Sequence, residues 1–288
     1  GLEKITELLK RLNNPQDKLR VIHIAGTNGK GSTAAFITSI LCAGGYRVGR
    51  FVSPAVFSYR EIIQISEGCF KSKRPNGTLR NICTGKASED TDEPYLLTEY
   101  IEEADIQALI GRIKPVCEDM VKEGLLHPTS FEIETAMMFL YMAQKQVDFL
   151  VLETGMGGRL DATNAISRPL CSVITRVSLD HMQYLGDTLE QIAGEKAGIM
   201  KADSVAITCN QAPEVLSVFL TKANELNIPL IIADCGQAKN IRYYLSHTEF
   251  SYPDNKAFDS YKIRLLGKHQ VQNAVLAIET AKILDKMG

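Results

Sequence analysis

The chain has 288 residues, 45% of them hydrophobic and 23% charged, with a formal net charge of -2. That length can bury a substantial core as one large α/β domain or two smaller ones, and the near-neutral balance supplies no basic field for nucleic acid. No apolar run approaches the roughly 18 residues of a membrane span. Seven dispersed cysteines without a C-x-x-C pair argue against a zinc site or a disulfide framework and for a reducing cytoplasm.

Leu2, Ile5, Leu8, Leu9 and Leu12 line one face of an opening helix, amphipathic rather than a signal peptide, which Asn13, Asn14 and Pro15 terminate. Residues 20–32, RVIHIAGTNGKGS, follow. The β-branched run at 21–25 has the character of a buried parallel strand. Gly26, Gly29 and Gly31 let the backbone turn tightly and approach a ligand, and the apolar spacing of residues 32–44 predicts a helix behind them. A helix starting there points unpaired N–H groups at an anion. Lys30 adds a mobile charge for phosphate oxygens, and the Ser32 hydroxyl suits magnesium. The strict P-loop pattern requires glycine at position 24, where this chain has Ile24.

Residues 47–52 read as a second strand, and 59–66 as extended chain. Residues 71–94 are polar and turn-rich, the composition of a mobile insertion. Helical spacing returns over 101–123, with a kink or break expected at Pro115. Thr129 and Glu132 have capping-box spacing before an apolar helix at 131–141. Strands at 147–152, 170–177, 205–209 and 230–233 alternate with helices at 189–200 and 214–227. Such alternation predicts a mostly parallel sheet flanked by helices, with ligands at the carboxyl ends of its strands. Residues 241–266 turn β-rich, broken by SYPDNKAFDS, and predict a small antiparallel appendage before a closing helix at 269–286.

Three further positions invite chemistry. Glu153 ends a buried strand, where a carboxylate either ligates magnesium or pairs with a base such as Arg159. His181, just past another strand, has the two readings open to any lone histidine, structural or functional. Lys196 lies on a helix whose start Asp187 and Glu190 could cap, and nothing around it distinguishes it from a solvated charge.

Taken together, GTNGKGS at 26–32, Glu153 with GMGGRLDATN, LDHMQYLG at 179–186, GEKAGI at 194–199 and LLGKHQVQNA at 265–274 resemble the folylpolyglutamate synthase and dihydrofolate synthase family, the folate branch of the Mur ligases. The resemblance implies an enzyme that activates a carboxylate with ATP to an acyl phosphate, which the amino group of L-glutamate attacks. It also implies a nucleotide site formed by Gly26, Thr27, Asn28, Gly29, Lys30, Gly31, Ser32 and Thr33, with Asn273 near adenine. One magnesium ion would sit on Ser32 and Glu153, and a second on His181 and a carbamylated Lys196. Lys30, His181 and Lys196 would thus be the catalytic groups, with Phe131, Asp161 and Ala162 on the pterin side of the substrate. Members often read SPH where residues 53–55 read SPA, so a histidine contribution is lost at Ala55. Members also continue into a further, C-terminal ligase domain, so that residues 1–288 would be the central ATP-binding domain of a cytoplasmic monomer acting on small molecules. Other Mur-type ligases, acting on peptidoglycan precursors or cyanophycin, and an inactive nucleotide-binding module are the competing readings.

Overall fold

The computed structural model describes residues 1–69, 95–254 and 257–288; the expected insertion at 71–94 lies outside them. In chain order the elements are α1 (Glu3–Arg11), β1 (Val21–Ala25), α2 (Lys30–Ala43), β2 (Val48–Phe51), β3 (Ile63–Cys69), β4 (Tyr95–Tyr100), α3 (Glu103–Lys122), α4 (Ser130–Lys145), β5 (Phe149–Glu153) and β6 (Cys171–Ile174). Then come α5 (Met182–Leu185), α6 (Leu189–Ala197), β7 (Val205–Cys209), α7 (Pro213–Leu226), β8 (Leu230–Ala233), β9 (Lys239–Tyr243), β10 (Thr248–Asp254), β11 (Ala257–Ile263) and α8 (Lys268–Met287).

Eight strands form one sheet in the order β4-β3-β2-β5-β1-β6-β7-β8. From β2 to β8 all neighbours are parallel, while β3 and β4 add an antiparallel edge. β1 and β5 are buried along their whole length, as continuous apolar strands between two helical layers must be. Alternation along β1 assigns the layers: Ile22 and Ile24 pack with Ile37 of α2 and Val275 of α8. Val21 faces α1, α3 and α4, and Ala25, on the same side, faces α6 and α7. Between β1 and β2 the chain steps over β5, and between β5 and β6 it steps over β1. The carboxyl ends of β5, β1 and β6 therefore lie side by side at a switch point, where open α/β sheets bind ligands.

Several expectations change. Residues 59–62 form a 3-10 turn rather than strand, capped by the Ser58 hydroxyl. α3 runs unbroken through Pro115. Strands run into SYPDNKAFDS from both ends, β10 as far as Asp254 and β11 from Ala257, and pair in the antiparallel sheet β11-β10-β9. That sheet packs Phe250 and Tyr252 into the α2–α8 core, and Lys282 of α8 donates to the Pro253 carbonyl at 2.6 Å. α6 is capped by Thr188 and Gln191, not by Asp187 and Glu190, because the hydroxyl–amide box already satisfies its first turn. At α4 the expected Thr129–Glu132 box is present.

Candidate functional site

The turn between β1 and α2 is fixed by two glycines whose backbone and surroundings both disfavour a side chain. Gly26 has φ +151° and Gly29 φ +90°; a Cβ would run into Thr175 Oγ1 at the first and Asn273 Oδ1 at the second. A Cβ on Gly31 would lie 3.4 Å from Glu153 Oε2, an ordinary contact, so Gly31 keeps room above that carboxylate without being sterically obligatory. The amides of Thr27 and Asn28 both donate to the Arg176 carbonyl, at 3.0 and 3.3 Å. The Thr27 hydroxyl donates to the Ser178 carbonyl at 3.0 Å, and Asn28 Nδ2 donates to Ser178 Oγ at 3.2 Å. Thr27 and Asn28 thus tie the loop to the end of β6. The donors left for an anion are the first-turn amides of α2, at Lys30, Gly31 and Ser32. Thr33 is fully buried; its amide donates to Gly29 O at 2.9 Å, and its hydroxyl has no partner among the described residues.

Lys30 Nζ donates to Gly26 O at 3.3 Å and stands 3.9 Å from Glu153 Oε1. Glu153 is only 5% exposed. Burial pushes its carboxyl up to about 7, although Lys30 and Arg50 oppose the shift. Arg50, absent from the motif reading, acts on Glu153 by charge from β2, the strand beside β5, while its Nε donates to Gln64 Oε1 at 3.1 Å. Its signal was an arginine inside the otherwise apolar VGRF strand. The alternative partner, Arg159, is committed elsewhere, with Nη2 2.9 Å from Glu195.

Lys196 corrects the reading of a solvated charge. It is 2% exposed, on the last turn of α6. Burial first, and the charge of Lys30 second, push its ammonium down to about 8, with Asp180 opposing. His181, in left-handed backbone at φ +47°, sets its Nε2 3.7 Å from the Asp180 carboxylate. Lys30, Glu153, Lys196 and the Asp180–His181 pair thus gather around the carboxyl ends of β1, β5 and β6.

On the other flank, Gln270 Nε2 of α8 donates to Ser32 Oγ at 3.2 Å, and Asn273 Nδ2 donates to Gln270 Oε1 at 3.0 Å. Gln270 had no assigned role, though its i, i+3 spacing from Asn273 places both on one helix face. Phe131 of α4 packs against Gly155, where a Cβ would lie 2.6 Å from its ring, and 6.1 Å from the Phe51 ring. Asp161 is turned inward: it accepts from Met156 N at 2.8 Å, Thr163 N at 3.0 Å and Thr163 Oγ1 at 2.6 Å. Ala162 beside it is 6% exposed.

These residues suit a polyphosphate and a hard cation. A glycine turn leads into a helix N-terminus that carries a lysine, and a buried carboxylate with too little positive charge around it lies against Lys30 and Gly31, next in the chain to the Ser32 hydroxyl. A lysine held near 8 has enough neutral amine near neutral pH to react with carbon dioxide.

Residues 99–281 match the Mur ligase middle domain. The chain is 37% identical over 289 residues to the dihydrofolate synthase/folylpolyglutamate synthase of Bacillus subtilis, covering 99% of this chain and 60% of that protein. To the folylpolyglutamate synthase of Lacticaseibacillus casei it is 32% identical over 285 residues, covering 98% and 59%. A solved FPGS–AMPPCP–folate complex superposes with a TM-score of 0.82 at 30% identity, over 98% of this chain and 62% of that one. The chain therefore spans about 60% of the length of these relatives.

Proposed function

The chain belongs to the Mur ligases through the middle domain of that family, and from that premise we propose that it serves an ATP-dependent amide ligase that joins L-glutamate to folate, to dihydropteroate, or to both, through an acyl phosphate. The observation that carries this reading is the convergence of Lys30, Glu153 and buried Lys196 on the end of β1, beneath the glycine turn. Relatives named for this activity share the chain's full span.

In this reading ATP lies along residues 26–33, with adenine toward Asn273. The first-turn amides of α2 and Lys30 would hold its phosphates, replacing water with fixed dipoles where charge develops during phosphoryl transfer. Ser32 and Glu153 would hold one magnesium ion, which supplies charge neutralisation. His181 and Lys196, the latter as a carbamate, would hold a second. Burial of Lys196 favours the neutral amine that carbamylation requires. Phe131 offers a ring face to a flat heterocycle. Asp161 shapes the loop beneath that heterocycle. Residues 1–288 act as one ATP-binding unit in this proposal, since β5, inside the matched region, is sandwiched between β2 and β1, outside it.

Phosphate release by the full-length protein from ATP with magnesium and L-glutamate, measured with dihydropteroate and tetrahydrofolate separately, tests the proposal. Release with one or both acceptors names the activity. Release that requires a UDP-sugar acceptor instead, or ATP binding with no turnover on any acceptor, would overturn it.

A further inference from the structure

His23 sits mid-strand in β1, fully buried, on the face that carries the 154–164 loop. Its Nε2 lies 2.9 Å from Thr163 Oγ1. The Thr163 hydroxyl has one proton, and Asp161 Oδ1, at 2.6 Å, also accepts from the Thr163 amide. With the other carboxylate oxygen accepting from Met156 N, both oxygens of Asp161 already face donors; burial raises this carboxyl and those bonds oppose the shift, and neither oxygen is left a free direction for a proton of its own. The Thr163 proton therefore points to Asp161, and its lone pair must be met by an N–H from His23. The opposite tautomer would leave Nδ1–H as a buried donor, and Nδ1 has no partner among the described residues; buried orphan donors are rarer and costlier than buried lone pairs.

The loop that this chain of bonds fixes is packed on the turn that carries Lys196. Arg159 N donates to Glu195 O at 2.8 Å, and Asn164 Nδ2 donates to Gly198 O at 3.1 Å. A Cβ on Gly158 would come within 2.6 Å of Glu195 O and 3.1 Å of Lys196 Cα, so the loop backbone lies directly against that turn. We propose that His23, as the neutral Nε2–H tautomer, is a positioning residue of this site: through Thr163 and Asp161 it sets the 155–161 backbone that floors the acceptor side and braces Lys196. His23 touches no substrate in this assignment. Its effect on ligation rests on the proposed function, whereas its tautomer and its hold on the loop do not.

The test uses 15N-labelled protein with the variants Thr163→Ser, which keeps the hydroxyl, and Thr163→Val, which removes it. Nitrogen shifts of His23 should show Nε2 protonated and Nδ1 bare from pH 5 to 8. Amide exchange at Met156 should rise about tenfold or more in Thr163→Val, as expected for losing a buried bond and orphaning its neighbour, and stay near wild type in Thr163→Ser. In turnover, Thr163→Val should raise the KM for the pterin acceptor about tenfold while the Kd for ATP holds, and Thr163→Ser should restore it. Nδ1 protonation, or equal exchange in the two variants, would overturn the assignment even if the protein ligates glutamate normally. Absent turnover in the full-length wild type would instead overturn the proposed function, leaving the nitrogen shifts and exchange to decide the role of His23. Should Thr163→Val not fold, the nitrogen shifts of the unmodified protein and a His23→Gln variant, whose amide can donate from the same place, decide it.

Discussion

In a Glu153→Gln variant the buried carboxyl is replaced by an amide of nearly the same shape, and pH sets the consequence for stability. The wild-type carboxyl rises from 4.5 in the open chain to about 7 in the fold, because burial outweighs Lys30 and Arg50. A group whose folded value is raised favours the fold fully below the unfolded value, and this contribution is lost as pH climbs through the folded one. At about 1.4 kcal/mol per unit, wild type should lose about 3 kcal/mol relative to the variant between pH 4.5 and 8. Removing the carboxylate also leaves Lys30 closer to an uncompensated state beside Lys196, which offsets part of that gain. The expected net advantage of Glu153→Gln is therefore about 1–3 kcal/mol at pH 8 and near zero at pH 4.5. Urea unfolding of both proteins at half-unit steps from pH 4.5 to 8.5, without nucleotide or metal, measures it directly. A difference that stays flat across the series, or that turns against the variant as pH rises, would refute the account of Glu153 as an under-compensated buried charge.

Gly29→Ala combines a forbidden φ with a collision at Asn273 Oδ1, so it should cost about 1–3 kcal/mol by urea unfolding and weaken ATP binding by calorimetry. Gly31→Ala, with only an ordinary contact to meet, should be far milder in unfolding. Lys30→Ala should abolish nucleotide-dependent turnover in the full-length enzyme while the far-ultraviolet spectrum is preserved; retained turnover would remove Lys30 from the site. Carbon-13 NMR in labelled bicarbonate should show a carbamate that grows as pH rises from 7 toward 8, as the Lys196 amine loses its proton near 8, and that is missing from Lys196→Met. A signal of equal strength in that variant would assign the adduct to another amine.

Local chemistry carried much of the fold in legible form. The β1 run, the glycines, the Thr129–Glu132 box and the strand–helix alternation act within a few residues, and β1 and β8 fall where the apolar runs put them. The antiparallel edge was less legible. β3 is preceded by a 3-10 turn that imitates extended chain in its residue types, and β4 pairs with it across the region outside the described residues. Pro115 was misread because a helix buried along one face can absorb a missing N–H on the other: Ile113, Cys117 and Met120 stay in the core around it.

The harder misreading, Lys196, shows where sequence ceases to inform. Its burial is not written in the residues beside it in the chain: the 154–164 loop, more than thirty residues away in sequence, is folded onto its turn of α6. The same packing that hides Lys196 brings Lys30 close enough to push its proton off, and buries Glu153 deeply enough to hold its proton on. One lysine is shifted down and one carboxylate up, until both titrate within about a unit of neutrality. Structural ion pairs shift the other way, each partner deepening the charge of its neighbour, as Arg11 and Glu123 do on the surface. Opposed shifts of this kind cost stability, and groups so perturbed cluster at functional sites, which singles out Glu153 and Lys196 as the residues to test first.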